Sequence, residues 1–250
     1  NCIQLRGEYL YAAAGKKGMI VYDVAGIANK GISQKIITAP FSDLGHKTKI
    51  PSKNASCLSL VTTQPVHPDR NEGEMMRVTN QEQPFLEIYD YAVITDTEEG
   101  LILTDINTLS DGEPRNNFLE RAVTWNADGV LNGARYVVVG GVYAYVIADA
   151  GLVVVDLSEP TKPQHLATVP LNNGQAVDQQ FRYLFVTDAD GMKTIDITQP
   201  GKPKIVGKTL ALNDAAKLFV SRTYAYVANG AEGIAIIDIT NPKQPELYQM

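Results

Sequence analysis

Residues 143–156 read YAYVIADAGLVVVD: an aromatic opening, a short turn ending in glycine, an apolar run and a closing aspartate. The same motif begins again at Tyr9, Tyr91, Tyr183 and Tyr224, so the chain carries five copies. Glycine precedes the closing aspartate by five residues in every copy, and tyrosine precedes it by 13 or 14. A repeat of roughly forty residues with such constant registration indicates a repeat architecture.

Each copy divides into β-strands. In the copy quoted above, 143–148 is rich in aromatic and β-branched residues, 149–151 is a turn, and 152–157 is apolar throughout except for its aspartate. An apolar run on both faces is typical of a strand that is covered on both sides. A further strand candidate precedes each tyrosine and another follows each aspartate, and no helical period is present. Four strands per repeat predict an all-β fold, a β-propeller, because a β-helix has shorter repeats and a β-sandwich does not repeat so regularly.

We expect one β-propeller domain over 1–250 with about five four-stranded blades. The closing aspartates Asp23 and Asp105 lie 82 residues apart, whereas the later ones are 40 to 51 apart, which indicates an irregular insertion at 40–84 in the second blade. A long link at 107–134 is the second departure from the repeat. The last blade is expected to lack its final strand, so the sequence predicts an incomplete portion of a six- to eight-bladed propeller. The predicted blades cover approximately 1–40, 54–125, 130–170, 175–210 and 215–250.

The closing aspartates precede a tail of the form Asp-x-Ser/Thr-x-Pro in three copies. Such a side chain accepts a backbone N–H, and proline fixes φ while refusing ladder pairing, so the tail predicts a turn. A ring of cation-binding carboxylates is the alternative, but the identical offset from glycine favours turn caps. The predicted caps are Asp23, Asp105, Asp156, Asp196 and Asp238.

Composition narrows the function classes. The net charge of −6 and the pI near 5.1, with no basic stripe, argue against nucleic-acid binding. Residues 136–157 are apolar over the length of a membrane span, but Gly140, Gly141 and Asp149 interrupt them, so we expect strands and no membrane insertion. No serine elbow, phosphate loop, zinc-ligand spacing or dinucleotide motif occurs, so no cofactor is expected and catalysis is less favoured.

The chain has two cysteines, Cys2 and Cys57. Both fall in predicted innermost strands of neighbouring blades. They would form a disulfide if their Cα atoms come within reach, and two buried free thiols are the alternative.

Two blocks carry a family resemblance: 151–160 (GLVVVDLSEP) and 233–242 (GIAIIDITNP) resemble the LVIVD repeat family. That resemblance implies a propeller module of a larger exported or cell-surface protein, and therefore an extracytoplasmic localisation. Some members carry c-type haem domains beside the propeller, so the resemblance also admits a multihaem cytochrome as partner. This chain contains no Cys-x-x-Cys-His motif for covalent haem.

We expect a non-catalytic interaction or scaffold module whose partner is another protein or another domain of the same larger chain. Insertions in repeat proteins collect on one face, so the two irregular segments are the expected binding surface. Two alternatives stay open: a propeller hydrolase or lyase with a titratable cluster at the channel mouth, and a purely architectural surface or filament subunit with polar loops. The candidate surface residues are His46, Lys49, His67, Arg70, Arg115, Arg121 and Trp125.

Overall fold

The computed structural model describes residues 2–24, 48–61, 74–75, 86–109 and 118–250. Within these ranges twenty strands form five four-stranded antiparallel sheets, each ordered along the sheet as it is along the chain. Short 3₁₀ turns at Glu87–Asp90, Asn107–Leu109, Ala127–Gly129 and Gly230–Glu232 accompany them. The predicted all-β architecture of five four-stranded blades is confirmed.

The five blades have the following strands, from the innermost outward. Blade 1 contains β1 (Ile3–Arg6), β2 (Tyr9–Ala13), β3 (Met19–Asp23) and β4 (Lys49–Ile50). Blade 2 contains β5 (Ala55–Leu60), β6 (Tyr91–Asp96), β7 (Gly100–Asp105) and β8 (Glu120–Trp125). Blade 3 contains β9 (Tyr136–Gly140), β10 (Tyr143–Ala148), β11 (Gly151–Asp156) and β12 (Gln164–Val169). Blade 4 contains β13 (Ala176–Gln180), β14 (Tyr183–Asp188), β15 (Gly191–Asp196) and β16 (Lys204–Leu210). Blade 5 contains β17 (Ala215–Ser221), β18 (Tyr224–Asn229), β19 (Ile234–Asp238) and β20 (Glu246–Gln249).

The outer strands differ most from the sequence expectations. The fourth strand of blade 1 is β4, inside the segment expected to be irregular, and β8 lies inside the segment expected to be a link. The expectation that the last blade lacks its final strand is wrong, because β20 pairs with β19 through Asp238 and Glu246. The outer strand begins eight residues after the closing aspartate in blades 3, 4 and 5, and that spacing was the signal in the sequence.

Neighbouring blades pack face to face. Successive side chains of a strand point to opposite faces of its sheet; we call the face toward the following blade the trailing face and the opposite one the leading face. Between blades 3 and 4, the trailing side chains of Tyr145, Leu152 and Val154 are buried with leading side chains such as Leu184 and Ile195. We call such an interface between neighbouring blades a seam, and the other three seams are built in the same way. This two-sided burial explains why the motif strands are apolar on both faces.

The motif glycine lets the outer strand approach the hairpin turn. Gly151 has a φ of +117°. A Cβ atom there would lie 2.9 Å from the Leu171 nitrogen and would overlap the Val169 carbonyl oxygen. Only glycine combines this backbone conformation with so close a backbone approach.

Candidate interaction surface

The innermost strands meet at a central cavity of about 200 Å³. Among the described residues that line it, Asp178 is the one carboxylate, and no histidine is present. Asp178 accepts hydrogen bonds from the backbone N–H groups of Val220 at 2.7 Å and Gln179 at 2.8 Å. Burial raises the pKa of Asp178 against the opposing effect of these hydrogen bonds. Since Val220 belongs to blade 5, the carboxylate links blades 4 and 5. Burial raises the pKa of Tyr136, which also lines the cavity, and the charge of Asp178 raises it further.

In blades 2, 4 and 5 the second strand ends in a polar side chain that fixes the following turn, a feature that the sequence analysis did not predict; we call it the polar latch. Asp96 accepts backbone hydrogen bonds from Asn54 at 2.6 Å, Glu98 at 2.9 Å and Glu99 at 3.0 Å, so it ties the turn to the chain entering its own blade. Burial acts to raise the pKa of Asp96, but these backbone hydrogen bonds outweigh it and the pKa is lowered. Asn229 performs the same task for blade 5 by accepting from the Asp214 nitrogen at 3.0 Å. The residue at this position varies between blades, so the latch could not be recognised as part of the repeated motif.

In blade 4 the latch contains a buried charge. The Asp188 carboxylate is fully buried and forms an ion pair with Lys193 Nζ, which also lies 2.6 Å from Asp190 Oδ2. Burial acts to lower the pKa of Lys193, yet the hydrogen bonds to the two carboxylates raise it overall. One ammonium group of the protein itself thus pairs with both carboxylates. In the described part of the chain no group of three or more His, Cys, Asp or Glu side chains is placed to hold a metal ion.

The closing aspartates lie at turns after the third strands. Asp196 Oδ1 accepts from the Thr198 nitrogen at 2.9 Å and from its hydroxyl at 2.6 Å, and the hydroxyl bond lowers the pKa of Asp196. Asp156 accepts from both groups of Ser158 in the same way, at 2.8 and 2.6 Å. The remaining three, at the ends of their strands, are Asp23, Asp105 and Asp238.

The predicted surface residues are only partly placed. His46, His67, Arg70 and Arg115 lie outside the described residues. Lys49 is exposed on β4. Arg121 donates to Glu99 Oε1 at 2.8 Å and to the Pro51 carbonyl, so its guanidinium joins the outer parts of blades 1 and 2. Trp125 is half-buried against the core between blades 2 and 3. Arg121 therefore lies close to the chain that follows Lys49. Arg121 and Trp125 both make contacts within the protein itself.

The two cysteines are joined. Cys2 and Cys57 form a disulfide with Cα atoms 4.7 Å apart, within the usual range for such bridges. The bridge connects the start of blade 1 to β5, so it ties the innermost strands of blades 1 and 2 together.

A different surface stands out at the turns between first and second strands. The residue two positions before the repeat tyrosine has positive φ: it is Gly7 in blade 1 and Gly141 in blade 3, but Phe181 and Arg222 in blades 4 and 5. Phe181, at φ +51°, is 88% exposed. A non-glycine residue in this conformation costs about 1–2 kcal/mol. The sequence signal was therefore a phenylalanine in a place that glycine fills elsewhere.

Phe181 stands between two clefts on this face. One, of about 300 Å³, lies toward blades 2 and 3. The other, of about 560 Å³, lies between blades 4 and 5. The Arg182 guanidinium carbon is 5.2 Å from the centre of the Tyr183 ring, at the rim of the larger cleft. We name this surface the hairpin-face site; it consists of Phe181, Arg182, Tyr183, Arg222, Ile239 and Pro242.

Five face-to-face blades around a shared cavity define the chain as a β-propeller protein. The model of the LVIVD repeat matches residues 2–32, 133–169 and 213–249, and these matches include strands β1 to β3 of blade 1 and all four strands of blades 3 and 5. Three blades of the chain therefore match the LVIVD repeat, and the resemblance that the sequence carried is confirmed. No curated protein matches it in sequence.

Solved β-propellers are similar to the chain in fold. The Cps50 (Swd1) propeller domain of Myceliophteria thermophila superposes with a TM-score of 0.59 at 15% identity, over 99% of this chain and 70% of that one. A protein from Lactobacillus plantarum gives 0.60 at 15% identity, over 91% and 60%. PorZ, a bacterial surface component of the type-IX secretion system of Porphyromonas gingivalis, gives 0.53 at 16%, over 100% and 26%. At these identities the likeness concerns the fold alone, and the chain spans only part of each of these proteins.

No helix among the described residues is long and apolar enough to cross a membrane.

Proposed function

We propose that this chain is a non-catalytic, extracytoplasmic scaffold module of a larger surface or secreted protein, and that it binds another protein through the hairpin-face site. The observation that carries the proposal is Phe181, a large apolar side chain held in a strained turn and 88% exposed. Glycine at this position would relieve the strain and remove the exposed ring. Strained residues gather where they serve function, and exposed aromatic groups mark interaction sites.

The chemistry of the site suits a protein ligand. Aromatic and arginine side chains supply most of the binding energy at protein interfaces, and Phe181, Tyr183, Arg182 and Arg222 provide both kinds around one cleft. The two guanidinium groups favour a partner segment that flanks an apolar side chain with carboxylates. Four-stranded blades hold the turns rigidly, so little ordering is required on binding.

Two observations support the extracytoplasmic placement. LVIVD repeats are typical of exported proteins, and the bridge between Cys2 and Cys57 suits an oxidising compartment. A multihaem cytochrome as the partner follows from the family resemblance, and so rests on analogy.

Site-specific photo-crosslinking tests the proposal. A photoreactive phenylalanine analogue replaces Phe181 in cells of the source organism, and the matched control carries it at Ile205, which is 47% exposed on the outer strand β16. We expect a discrete crosslinked partner from position 181 and none from 205. A haem absorption band in the crosslinked product would identify a cytochrome, whereas its absence would exclude that partner class only.

The variant Phe181→Gly separates binding from folding. Glycine adopts a φ of +51° without strain, so the variant should unfold at the same or a higher temperature while its partner is lost. Undiminished capture of the same partner by Phe181→Gly would overturn the hairpin-face site.

A further inference from the structure

Two apolar sheet faces of the propeller have no cover in the described part of the chain. Each of the four seams buries one trailing and one leading face, which leaves the trailing face of blade 5 and the leading face of blade 1. On blade 5, Phe219 is 63% and Ile234 is 60% exposed. On blade 1, Ile3 is 70% and Leu5 is 56% exposed.

The exposed face of blade 5 repeats a pattern that is buried elsewhere. Ile234 occupies the position of Leu152 in blade 3 and of Met192 in blade 4, both of which are fully buried. Tyr226 occupies the position of Phe185, which is also fully buried. The same positions carry the same kind of side chain whether or not a neighbour is present, so the face of blade 5 has the composition of an internal seam.

We infer that the trailing face of blade 5 is the docking surface for a further four-stranded blade of the same repeat, belonging to the same polypeptide. In the occupied seams a trailing face meets a leading face of small and branched residues, such as Ala144 with Val146 and Ala225 with Val227. A blade of this repeat supplies that surface, so the new seam continues an established interface.

The size of similar proteins agrees with this occupant. The chain aligns over nearly its whole length with the Cps50 (Swd1) and Lactobacillus plantarum propellers, yet covers only 70% and 60% of those chains. Further blades following blade 5 would also reach the free leading face of blade 1, around Ile3 and Leu5. This inference goes beyond the proposed function, and its failure would leave the hairpin-face site untouched.

Hydroxyl-radical footprinting tests the inference on the protein purified at natural length from its source, beside the chain 1–250. Two phenylalanines calibrate the reaction: Phe181 is 88% exposed and Phe185 is buried. In the natural protein we expect Phe219 and Tyr226 to lose their reactivity to the level of Phe185, at every protein concentration. In the chain 1–250 both should react as exposed residues.

Two outcomes would overturn the inference. In one, Phe219 and Tyr226 react in the natural protein as strongly as Phe181. In the other, the natural protein protects these residues only as its concentration rises, which would make a second copy the occupant. A variant gives an independent readout: Ile234→Asp should lower the melting temperature of the natural protein but not of the chain 1–250, while Ile205→Asp on the outer strand β16 lowers neither. Equal melting temperatures of the natural protein with and without Ile234→Asp would also contradict the docked blade.

Discussion

Substitution of two motif glycines separates conformational strain from close packing. Gly151 and Gly233 occupy equivalent places in blades 3 and 5, with φ of +117° and +88°. An added Cβ at Gly151 would overlap the Val169 carbonyl and lie 3.0 Å from Pro170 Cα, whereas at Gly233 it would meet nothing within 4 Å. The variants Gly151→Ala and Gly233→Ala therefore share the backbone cost, and only the first also displaces an outer strand.

The magnitudes follow from these two contributions. A positive φ costs alanine about 1–2 kcal/mol, so Gly233→Ala should lose about that much free energy of unfolding. In Gly151→Ala the β12 end must move away, which disturbs one or two ladder hydrogen bonds at roughly 1 kcal/mol each. Gly151→Ala should therefore lose about 2–4 kcal/mol in total. For a chain of this size each kcal/mol lowers the melting temperature by about 2–4 °C.

Differential scanning calorimetry of the wild type and both variants measures the difference. We expect the melting temperature of Gly151→Ala to lie about 2–8 °C below that of Gly233→Ala, given roughly 1–2 kcal/mol of extra cost. Far-ultraviolet circular dichroism should show that both variants keep their β structure. Equal losses in the two variants would refute the argument that backbone approach, and not φ alone, requires glycine in the motif.

Three further predictions concern charges and the disulfide. Lys193→Met leaves a buried carboxylate without its cation and should lower the free energy of unfolding in urea by about 3–5 kcal/mol. The control Lys162→Met breaks an exposed ion pair with Glu159 and should not change that free energy measurably. Equal effects of the two variants would contradict the buried ion pair in the latch. Reduction of the disulfide should raise the intact mass by about 2 Da, and an unchanged mass would show free thiols. Cys57→Ser should lower the free energy of unfolding by up to about 4 kcal/mol, the loop-entropy value for a separation of 55 residues. The lowered pKa of Asp96 means that its stabilising contribution is present above its ordinary pKa of about 4 and is lost as pH falls through the folded value. Asp96→Asn should therefore reduce the fall in stability between about pH 5 and 2, and an unaltered pH profile would disprove this role.

Much of the fold could be predicted because the repeat is local. Strands such as β10 and β11 can be predicted from the aromatic, β-branched and glycine residues inside one short segment. The outer strand β4 could not be placed because 25 residues separate it from β3 along the chain, and a two-residue strand carries almost no pattern. Pairing across such a distance depends on the blade that is already formed.

The candidate site was harder to predict for a related reason. The sequence analysis predicted the binding surface at irregular segments such as 40–84, because their lengths depart from the repeat. The hairpin-face site lies instead in turns of regular length. Phe181 becomes informative only when its turn is compared with that of Gly141, and its exposure depends on how blades 4 and 5 sit together.

The sequence by itself determined the number of blades, their strand order and the double-sided apolar character of each strand, since these depend on spacing and on the alternation of side chains. Tertiary structure alone decided which of those apolar faces are covered. Ile234 and Leu152 are equivalent in sequence, yet one is 60% exposed and the other is buried, because burial depends on whether a neighbouring blade is present.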